Sequence, residues 1–331
     1  MTSQGPFRVA VVGATGLVGA EIVSLLAERS FPVGELFLYA SERSAGEQVE
    51  FGGEEIVARR IEQPMPAVDV AFLCATSEIS RNLGPSLAGD GAWVIDLASA
   101  TPEAAALPLS AAEVRRSSGE ARGGIVQVPD PLARMIALPI RALARHASPR
   151  RVIVTLLVSA SAFGKESVER LSEETVALFN LQEGDEKRTS VAAFRCIPEL
   201  ARSREGLAER VEAHVRLLLG PSTDVVASVI RVPIFFGQAA SISVELEPAL
   251  ELGRVREVLR DTPSVLIPEP GDEPTSTLDA LGADGIHVVG LRQHGGAPAW
   301  LHFWALGDNV RQGAALAAVS LAEGLLFGSR A

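Results

Sequence analysis

Short apolar runs alternate with amphipathic stretches over roughly the first 125 residues of the chain. The apolar runs are rich in β-branched residues and predict strands, whereas apolar residues spaced three and four apart predict helices between several of them. The predicted strands are Val9–Val12, Glu35–Tyr39, Val70–Cys74, Trp93–Leu97 and Gly124–Val128. This alternation predicts an α/β fold with a doubly wound parallel sheet.

The pattern changes from about Arg151, where longer apolar strands follow one another with few helices between them. Strands are predicted at Arg151–Val158, Val225–Phe236, Ala240–Glu247, Ile286–Arg292 and Trp300–Leu306, and helices at Lys165–Asn180 and Leu207–Leu219. This part is predicted to be an α+β domain with one sheet face left for helices or a partner. Asp308-Asn309 is predicted to cap a final helix that runs from Val310 to Phe327. The segment Glu103–Arg122 has the weakest pattern and is predicted to be a mobile connection.

Composition narrows the function classes. The net charge of −11 disfavours nucleic acid as a partner. No apolar stretch reaches the roughly 20 residues that cross a membrane, and no signal-peptide pattern is present, so a cytoplasmic location is expected. The two cysteines, Cys74 and Cys196, lack the spacing of a metal site, and both are interpreted as packed structural thiols. No metal is expected.

The run Gly13-Ala14-Thr15-Gly16-Leu17-Val18-Gly19 follows the first predicted strand and opens a helix. Glycines let the backbone turn tightly and approach a pyrophosphate, and the helix N-terminus offers unpaired N–H groups. Strand, turn and helix together predict a dinucleotide site, and a plain glycine-rich turn is the alternative. Ala75 and Thr76 follow another strand of the sheet and are expected to lie at the same edge.

The residues after the second strand bear on which nucleotide binds. NAD-selective sites place an acidic residue there to bind the ribose 2′-hydroxyl. Here Ser41, Arg43 and Ser44 suit a 2′-phosphate, and alternation is expected to turn Glu42 away. NADP is therefore the predicted cofactor, and NAD is less favoured. The alternative interpretation is that these residues form a solvated polar loop with no role in nucleotide binding.

Several of these motifs, in their order and spacing, resemble aspartate-semialdehyde dehydrogenase almost from end to end. The resemblance rests on Gly13–Gly19, Phe31-Pro32-Val33, Ala40–Gly46, Val94-Ile95-Asp96, Gly164-Lys165-Glu166, Arg231-Val232-Pro233, and Asp308-Asn309 with Arg311 and Gly313–Leu316. It implies a Rossmann-type NADP-binding domain at 1–127 and 309–331, and an α+β catalytic and dimerisation domain of the semialdehyde dehydrogenase type at 128–308. It also implies a homodimer, cofactor contacts from Gly164 and Asn309 with Lys165 nearby, and the reversible phosphate-dependent conversion of aspartyl phosphate to aspartate semialdehyde.

The resemblance fails at the two positions that carry this chemistry. The family places its nucleophilic cysteine in an Asn-Pro-Asn-Cys run, and the matching residues here are Val128-Pro129-Asp130-Pro131. Asp130 and Pro131 form a good helix start, but proline offers neither a nucleophile nor an N–H. The family's acid/base histidine corresponds to Gln238, which cannot exchange a proton near neutral pH.

Other substrate positions have changed as well. By the same resemblance, Val158 occupies the position of the family's substrate-orienting glutamine. Pro102 replaces a phosphate-binding arginine, and Leu97 replaces an asparagine. Arg210 matches a phosphate-binding lysine only loosely. Arg231, which the family uses to hold the substrate carboxylate, remains, with a structural ion pair as the alternative role.

The chain is therefore predicted to bind NADP, to form a homodimer and to have lost the family reaction, as a pseudoenzyme. Two alternatives stay open. One is an active NADP-dependent oxidoreductase that acts on another aldehyde or ketone without covalent catalysis. The other is a non-enzymatic cofactor sensor or partner of another protein.

Overall fold

The computed structural model describes residues 5–62, 64–98, 108–110, 113–114, 123–180, 193–199, 206–269, 271–272, 274 and 276–327. Most of the predicted connection Glu103–Arg122, and Pro102, lie outside these residues. The chain divides into two compact units: unit 1 contains the described residues up to Asp130 and from Ala314 onward, and unit 2 contains Pro131–Gly313.

Unit 1 is built on a parallel six-stranded sheet with the strand order β5-β2-β1-β6-β7-β8. Its elements are β1 (Phe7–Val12), α1 (Leu17–Glu28), β2 (Val33–Ala40), β3 (Gln48–Phe51), β4 (Glu54–Val57), β5 (Arg59–Arg60), β6 (Val70–Leu73), α2 (Ser77–Gly89), β7 (Trp93–Asp96), β8 (Gly124–Gln127) and, from the end of the chain, α7 (Leu316–Phe327). The antiparallel pair β3–β4 forms a separate hairpin. The predicted doubly wound sheet is confirmed.

Alternate side chains of the sheet fill two cores, which is why its strands are apolar throughout. Val9, Val11 and Phe72 belong to the cluster that α1 and α7 cover. Ala10 and Val12 point to the other face and pack with Leu83 and Leu87 of α2 and its neighbours. Each face of the sheet is thus buried under helices.

The last helix is tied to unit 1 by an aromatic cluster and an ion pair. The Phe327 ring lies 5.4 Å from that of Phe7 and 5.3 Å from that of Phe31, measured between centroids. Arg29 at the end of α1 donates to Glu323 of α7 through two nitrogens, at 2.9 and 2.7 Å. The Ala-rich sequence of α7 allows this close packing, and most residues from Ala315 to Leu325 are buried, with Ser320 exposed.

Unit 2 contains a mixed seven-stranded sheet with the order β10-β11-β9-β12-β15-β14-β13. Its elements are α3 (Pro131–Leu143), β9 (Ser148–Val158), α4 (Lys165–Phe179), β10 (Ile197–Pro198), α5 (Leu207–Leu219), β11 (Asp224–Arg231), β12 (Gln238–Glu247), α6 (Leu252–Arg260), β13 (Val265–Leu266), β14 (Ile286–His294) and β15 (Ala297–Gly307). Helix α3 packs on β9, β12 and β15, and α5 packs on β11. Residues of β9 alternate accordingly: Val152, Val154 and Leu156 are buried, and Ile153 is 51% exposed.

Three sequence predictions need correction. The strand expected at Val225–Phe236 ends at Arg231, because Pro233 has no N–H to continue the ladder. The final helix does not run unbroken from Val310: a π-helical turn at Arg311–Ala315 precedes α7, with Gly313 N–H donating to Asp308 O at 2.8 Å. Cys196 is exposed rather than packed, whereas Cys74 is partly buried and packs against the core of unit 1 as predicted.

No helix among the described residues has the length and apolar character needed to cross a membrane.

Candidate functional site

The turn after β1 lies where the carboxyl ends of three strands meet. Val12 pairs with Tyr39 of β2 on one side and with Leu73 of β6 on the other. Gly13 has φ of +89°, and its N–H donates to Tyr39 O at 2.8 Å. A Cβ on Gly13 would lie 2.8 Å from Cys74 O, so only glycine fits between these strands.

Helix α1 begins without a side-chain cap. Gly16 occupies the N-cap position and makes no side-chain hydrogen bond, so the N–H groups at Leu17 and Val18 depend on another acceptor. Thr15 lies partly buried in the same turn. An open helix N-terminus beside a glycine turn is the arrangement that accepts a pyrophosphate, and these residues fit a dinucleotide.

The end of β2 carries a cluster of charges that sequence reasoning only partly identified. Ser41 and Arg43 are exposed in the following turn, with Ser44 partly buried. The short strand β5 runs beside this end and pairs Arg59 with Tyr39 and Arg60 with Ala40.

Arg60 also forms an ion pair with Glu42. The acidic residue that follows β2 therefore has a partner within the protein. A two-residue strand after a hairpin has no hydrophobic period, so nothing in the sequence pattern indicated Arg59 or Arg60.

The turn after β6 completes this edge of the sheet. Thr76 is the N-cap of α2, and its Oγ1 accepts from Ile79 N–H at 3.4 Å. Ala75 is partly buried next to it. Desolvation by burial, and secondarily Asp96, raises the pKa of the neighbouring Cys74 thiol, so this cysteine stays protonated at neutral pH.

The remaining predicted cofactor residues, Gly164 and Asn309, belong to unit 2 and meet at Ser161. Gly164 N–H donates to Ser161 O at 3.1 Å, and Ser161 Oγ donates to Asn309 Oδ1 at 3.0 Å. Gly164 has φ of +90° and precedes α4, whose first residue is the exposed Lys165.

Three predicted substrate-site residues of unit 2 form one row across the sheet. Arg231 of β11 pairs with Val158 of β9, Val158 pairs with Gln238 of β12, and Gln238 pairs with Gly307 of β15. Directly paired residues point to the same face, here the face under α3. Val158 is fully buried, Gln238 is 1% exposed, and neither polar atom of the Gln238 amide has a hydrogen-bond partner in the described structure.

Pro131 is the first residue of α3, as the Asp130-Pro131 pair predicted. Gly313 lies against it, since a Cβ on Gly313 would come within 2.8 Å of Pro131 Cβ. Pro131 therefore offers no thiolate and no backbone N–H donor, and Gln238 offers an amide but no titrating group.

Arg231 is held by an aromatic ring that sequence analysis did not identify. Its guanidinium lies 4.1 Å from the ring centroid of Phe163, in the turn before α4. A cation over an aromatic face is attracted by about 0.5–2 kcal/mol, which fixes the side chain but leaves its N–H groups able to bind a carboxylate.

Cys196 is exposed and precedes β10, where Ile197 pairs with Arg231. Across the described part of the chain, no group of three or more His, Cys, Asp or Glu side chains is placed to hold a metal.

Together, a Rossmann-type sheet with a glycine turn and a mixed-sheet second unit define a two-unit, nucleotide-binding α/β protein. Residues 8–121 match the family described as semialdehyde dehydrogenase, NAD binding domain, and residues 140–312 match semialdehyde dehydrogenase, dimerisation domain. The chain belongs to the semialdehyde dehydrogenase family.

Relatives named for aspartate-semialdehyde dehydrogenase cover nearly the whole chain. The Aquifex aeolicus aspartate-semialdehyde dehydrogenase is 31% identical over 96% of this chain and 97% of its own length. A USG-1 protein homolog of Azotobacter vinelandii is 34% identical over the same shares, 96% and 97%. The crystal structure of aspartate semialdehyde dehydrogenase II from Vibrio cholerae superposes with a TM-score of 0.90 at 29% identity, over 97% of this chain and 98% of that one.

Proposed function

We propose that this chain is an NADP(H)-binding member of the aspartate-semialdehyde dehydrogenase family that does not catalyse the phosphate-dependent conversion of aspartate semialdehyde. The proposal rests on Pro131 and Gln238, which the sequence resemblance aligns with the family's cysteine and histidine. Loss of an acid/base group costs about 10²–10⁴ in rate, and loss of the nucleophile removes the covalent route.

The surroundings of these two positions support the same conclusion. Val158 is fully buried in the sheet row and offers only methyl groups where a glutamine would orient the substrate. Only Arg231 keeps a group suited to a substrate carboxylate. A lone arginine binds an acid but does not activate a carbonyl.

Retention of the nucleotide site supports a role that still uses the cofactor. The turn at Gly13 and the uncapped start of α1 fit the pyrophosphate, and the charges at the end of β2 favour NADP over NAD. Arg43 and Arg59 lie beside that end, and Arg60 neutralises the carboxylate of Glu42. A bound nucleotide would supply or accept a hydride at its nicotinamide, and these residues would hold its phosphates.

The sheet face of unit 2 opposite α3 supports a homodimer. Ile153 of β9 pairs with Val226 of β11, and they are 51% and 53% exposed. Thr155 and Trp304 are partly exposed beside them. Exposed apolar side chains gathered on one sheet face are typical of an interface, and a second copy of the chain is the proposed partner.

The test of the proposed function combines binding with turnover. The protein should bind NADPH in a fluorescence titration and show no phosphate-dependent oxidation of aspartate semialdehyde above background. The double variant Pro131→Cys, Gln238→His should gain at most faint activity, since poor positioning alone can cost about 10²-fold. Robust turnover by the unmodified protein would contradict the proposal.

An alternative is direct hydride transfer to another carbonyl compound, which needs no nucleophile. It draws support from the intact nucleotide turn together with Arg231, which could hold an acidic aldehyde or ketone. NADPH oxidation with a panel of such compounds distinguishes it: turnover that Arg231→Ala abolishes would favour the alternative.

A further inference from the structure

Near one end of the unit 2 sheet, β11 has a side that another strand covers only in part. Strand β10 pairs with β11 at Ile230 and Arg231. Within the described residues, no strand pairs with Asp224–Ser228 on the side away from β9. We refer to this side of Asp224–Ser228 as the open edge. Backbone N–H and C=O groups along such an edge invite pairing with another chain, so natural sheets usually protect them.

Two side chains of α5 occupy the open edge in place of a strand. Glu212 Oε1 accepts from Ala227 N–H at 2.9 Å, and Arg216 Nη2 donates to Val225 O at 2.7 Å. Val225 and Ala227 are two residues apart, so their backbone groups point to the same side of β11. The two side chains therefore supply an acceptor and a donor where a neighbouring strand would supply its own C=O and N–H.

The helix brings these two side chains together at the strand. Glu212 and Arg216 are four residues apart, about one turn of α5, and Arg216 Nη2 lies 3.1 Å from Glu212 Oε2. The adjacent Val211 and Val215 are fully buried where α5 packs on β11. The side chains of Arg216 and Glu212 are 40% and 22% exposed, and an ion pair this accessible to water adds little to stability. Its contacts with the strand edge therefore point to a different role.

The beginning of α5 is fixed to the same side of the sheet by Glu199. This residue follows β10, and its N–H donates to Val229 O at 2.9 Å, which extends the pairing of β10 with β11. Its carboxylate accepts from Leu207 N–H and Ala208 N–H, both at 3.1 Å, at the N-terminus of α5. The coverage that β10 begins is thus continued by Glu199 and completed by the two side chains of α5.

We propose that the Glu212–Arg216 pair keeps the open edge closed to strand addition, and that the edge it closes fits the same edge of a second copy of the chain. An antiparallel approach about a two-fold axis at Val226 places Val225 of each copy opposite Ala227 of the other. The two copies then exchange N–H···O=C bonds at the positions that the side chains hold. This contact uses the backbone edge, whereas the homodimer proposed above uses the sheet face.

The test opens the edge with Glu212→Ala in the full chain. In dilute solution, hydrogen exchange of the Ala227 amide should accelerate about 10–100-fold, since it loses a hydrogen bond to a charged group. The amide of Ile242, in the central strand β12, should exchange at its wild-type rate. At high protein concentration, the mass from light scattering should rise to about twice that of the wild type. The Ala227 amide should then become slow again, because paired edges protect it.

Three further variants separate loss of the edge contact from a general loss of stability. Glu212→Gln keeps an oxygen that accepts from Ala227 N–H and should retain the wild-type mass. Arg216→Met keeps an apolar stem but loses the bond to Val225 O, so it should associate even if Glu212→Ala folds poorly. Glu257→Ala is the matched control, because it removes an exposed ion pair with Arg254 within α6, at 3.1 Å, and should not associate.

Three results would overturn the proposal. Wild-type exchange of Ala227 in Glu212→Ala would show that this side chain does not protect the edge. Fast exchange with an unchanged mass at every concentration would show that the edge fits no second copy. Association that leaves the Ala227 amide fast would place the new contact elsewhere. Each mass is compared with that of the wild type and no nucleotide is involved, so these outcomes are independent of the proposed function.

Discussion

Replacing Arg60 by alanine should lower the preference for NADPH over NADH about 10–30-fold. The Arg60 and Glu42 side chains are 64% and 70% exposed, so their ion pair adds at most about 1 kcal/mol to stability, and the variant should fold. Its effect on binding is larger, because the variant leaves the Glu42 carboxylate without this counter-charge, next to the expected position of the 2′-phosphate.

The magnitude follows from Coulomb's law in water-like surroundings. Two unit charges about 4 Å apart interact by about 1 kcal/mol there, and a phosphate monoester carries about 1.5–2 charges. Repulsion of about 1.5–2 kcal/mol corresponds to the stated 10–30-fold loss. NADH has no 2′-phosphate, so its affinity should stay the same or rise slightly.

The assay compares dissociation constants for both nucleotides by fluorescence titration at low and high salt. The double variant Glu42→Gln, Arg60→Ala should recover most of the NADPH affinity, because it leaves no carboxylate to repel the phosphate. Arg8→Ala is the matched control: it breaks a similarly exposed pair with Glu35, formed from the other end of the sheet, and should change neither constant. Equal losses for both nucleotides, or no recovery in the double variant, would refute the reasoning.

Three other predictions concern assembly, thiol reactivity and the nucleotide turn. Ile153→Glu should convert the proposed homodimer to a monomer by light scattering, since a charge would enter the apolar sheet face; an unchanged mass would place the interface elsewhere. Iodoacetamide at pH 8 should modify exposed Cys196 quickly and Cys74 only on unfolding, because burial raises the pKa of Cys74, and equal rates would contradict this. Gly13→Ala should abolish NADPH binding and lower stability by about 1–3 kcal/mol, since alanine is strained at φ +89° and its Cβ would meet Cys74 O; chemical denaturation and titration check both effects.

The nucleotide-binding edge could be predicted because consecutive residues build it. The strand, turn and helix around Gly13 follow one another along the chain, and the strand and the helix each show their own spacing of hydrophobic residues. The row Arg231, Val158, Gln238 depends instead on the register of strands that are far apart in sequence. A family resemblance could identify these residues, but only the strand pairing shows that they lie side by side.

The sequence analysis missed residues whose role depends on a single tertiary contact. Arg60 matters because β5 places it beside Glu42, and Phe163 because Arg231 lies over its ring. Glu212 and Arg216 carry no sign of their contacts with β11 in the sequence, since charged residues on an amphipathic helix are usually exposed. Cys196 was predicted to be packed because apolar residues flank it, but it lies just before the two-residue strand β10 and is exposed.

The position of α7 has a consequence for how the protein is made. Unit 1 takes its sheet from the beginning of the chain and the helix that covers it from the end, with the whole of Pro131–Gly313 synthesised between them. At a synthesis rate of about 5–20 residues per second, that helix is made about 10–40 s after the last strand of the sheet. Throughout this time the face bearing Val9, Val11 and Phe72 is only partly covered, so the first unit to be translated is the last to be completed, and chaperones are expected to bind there.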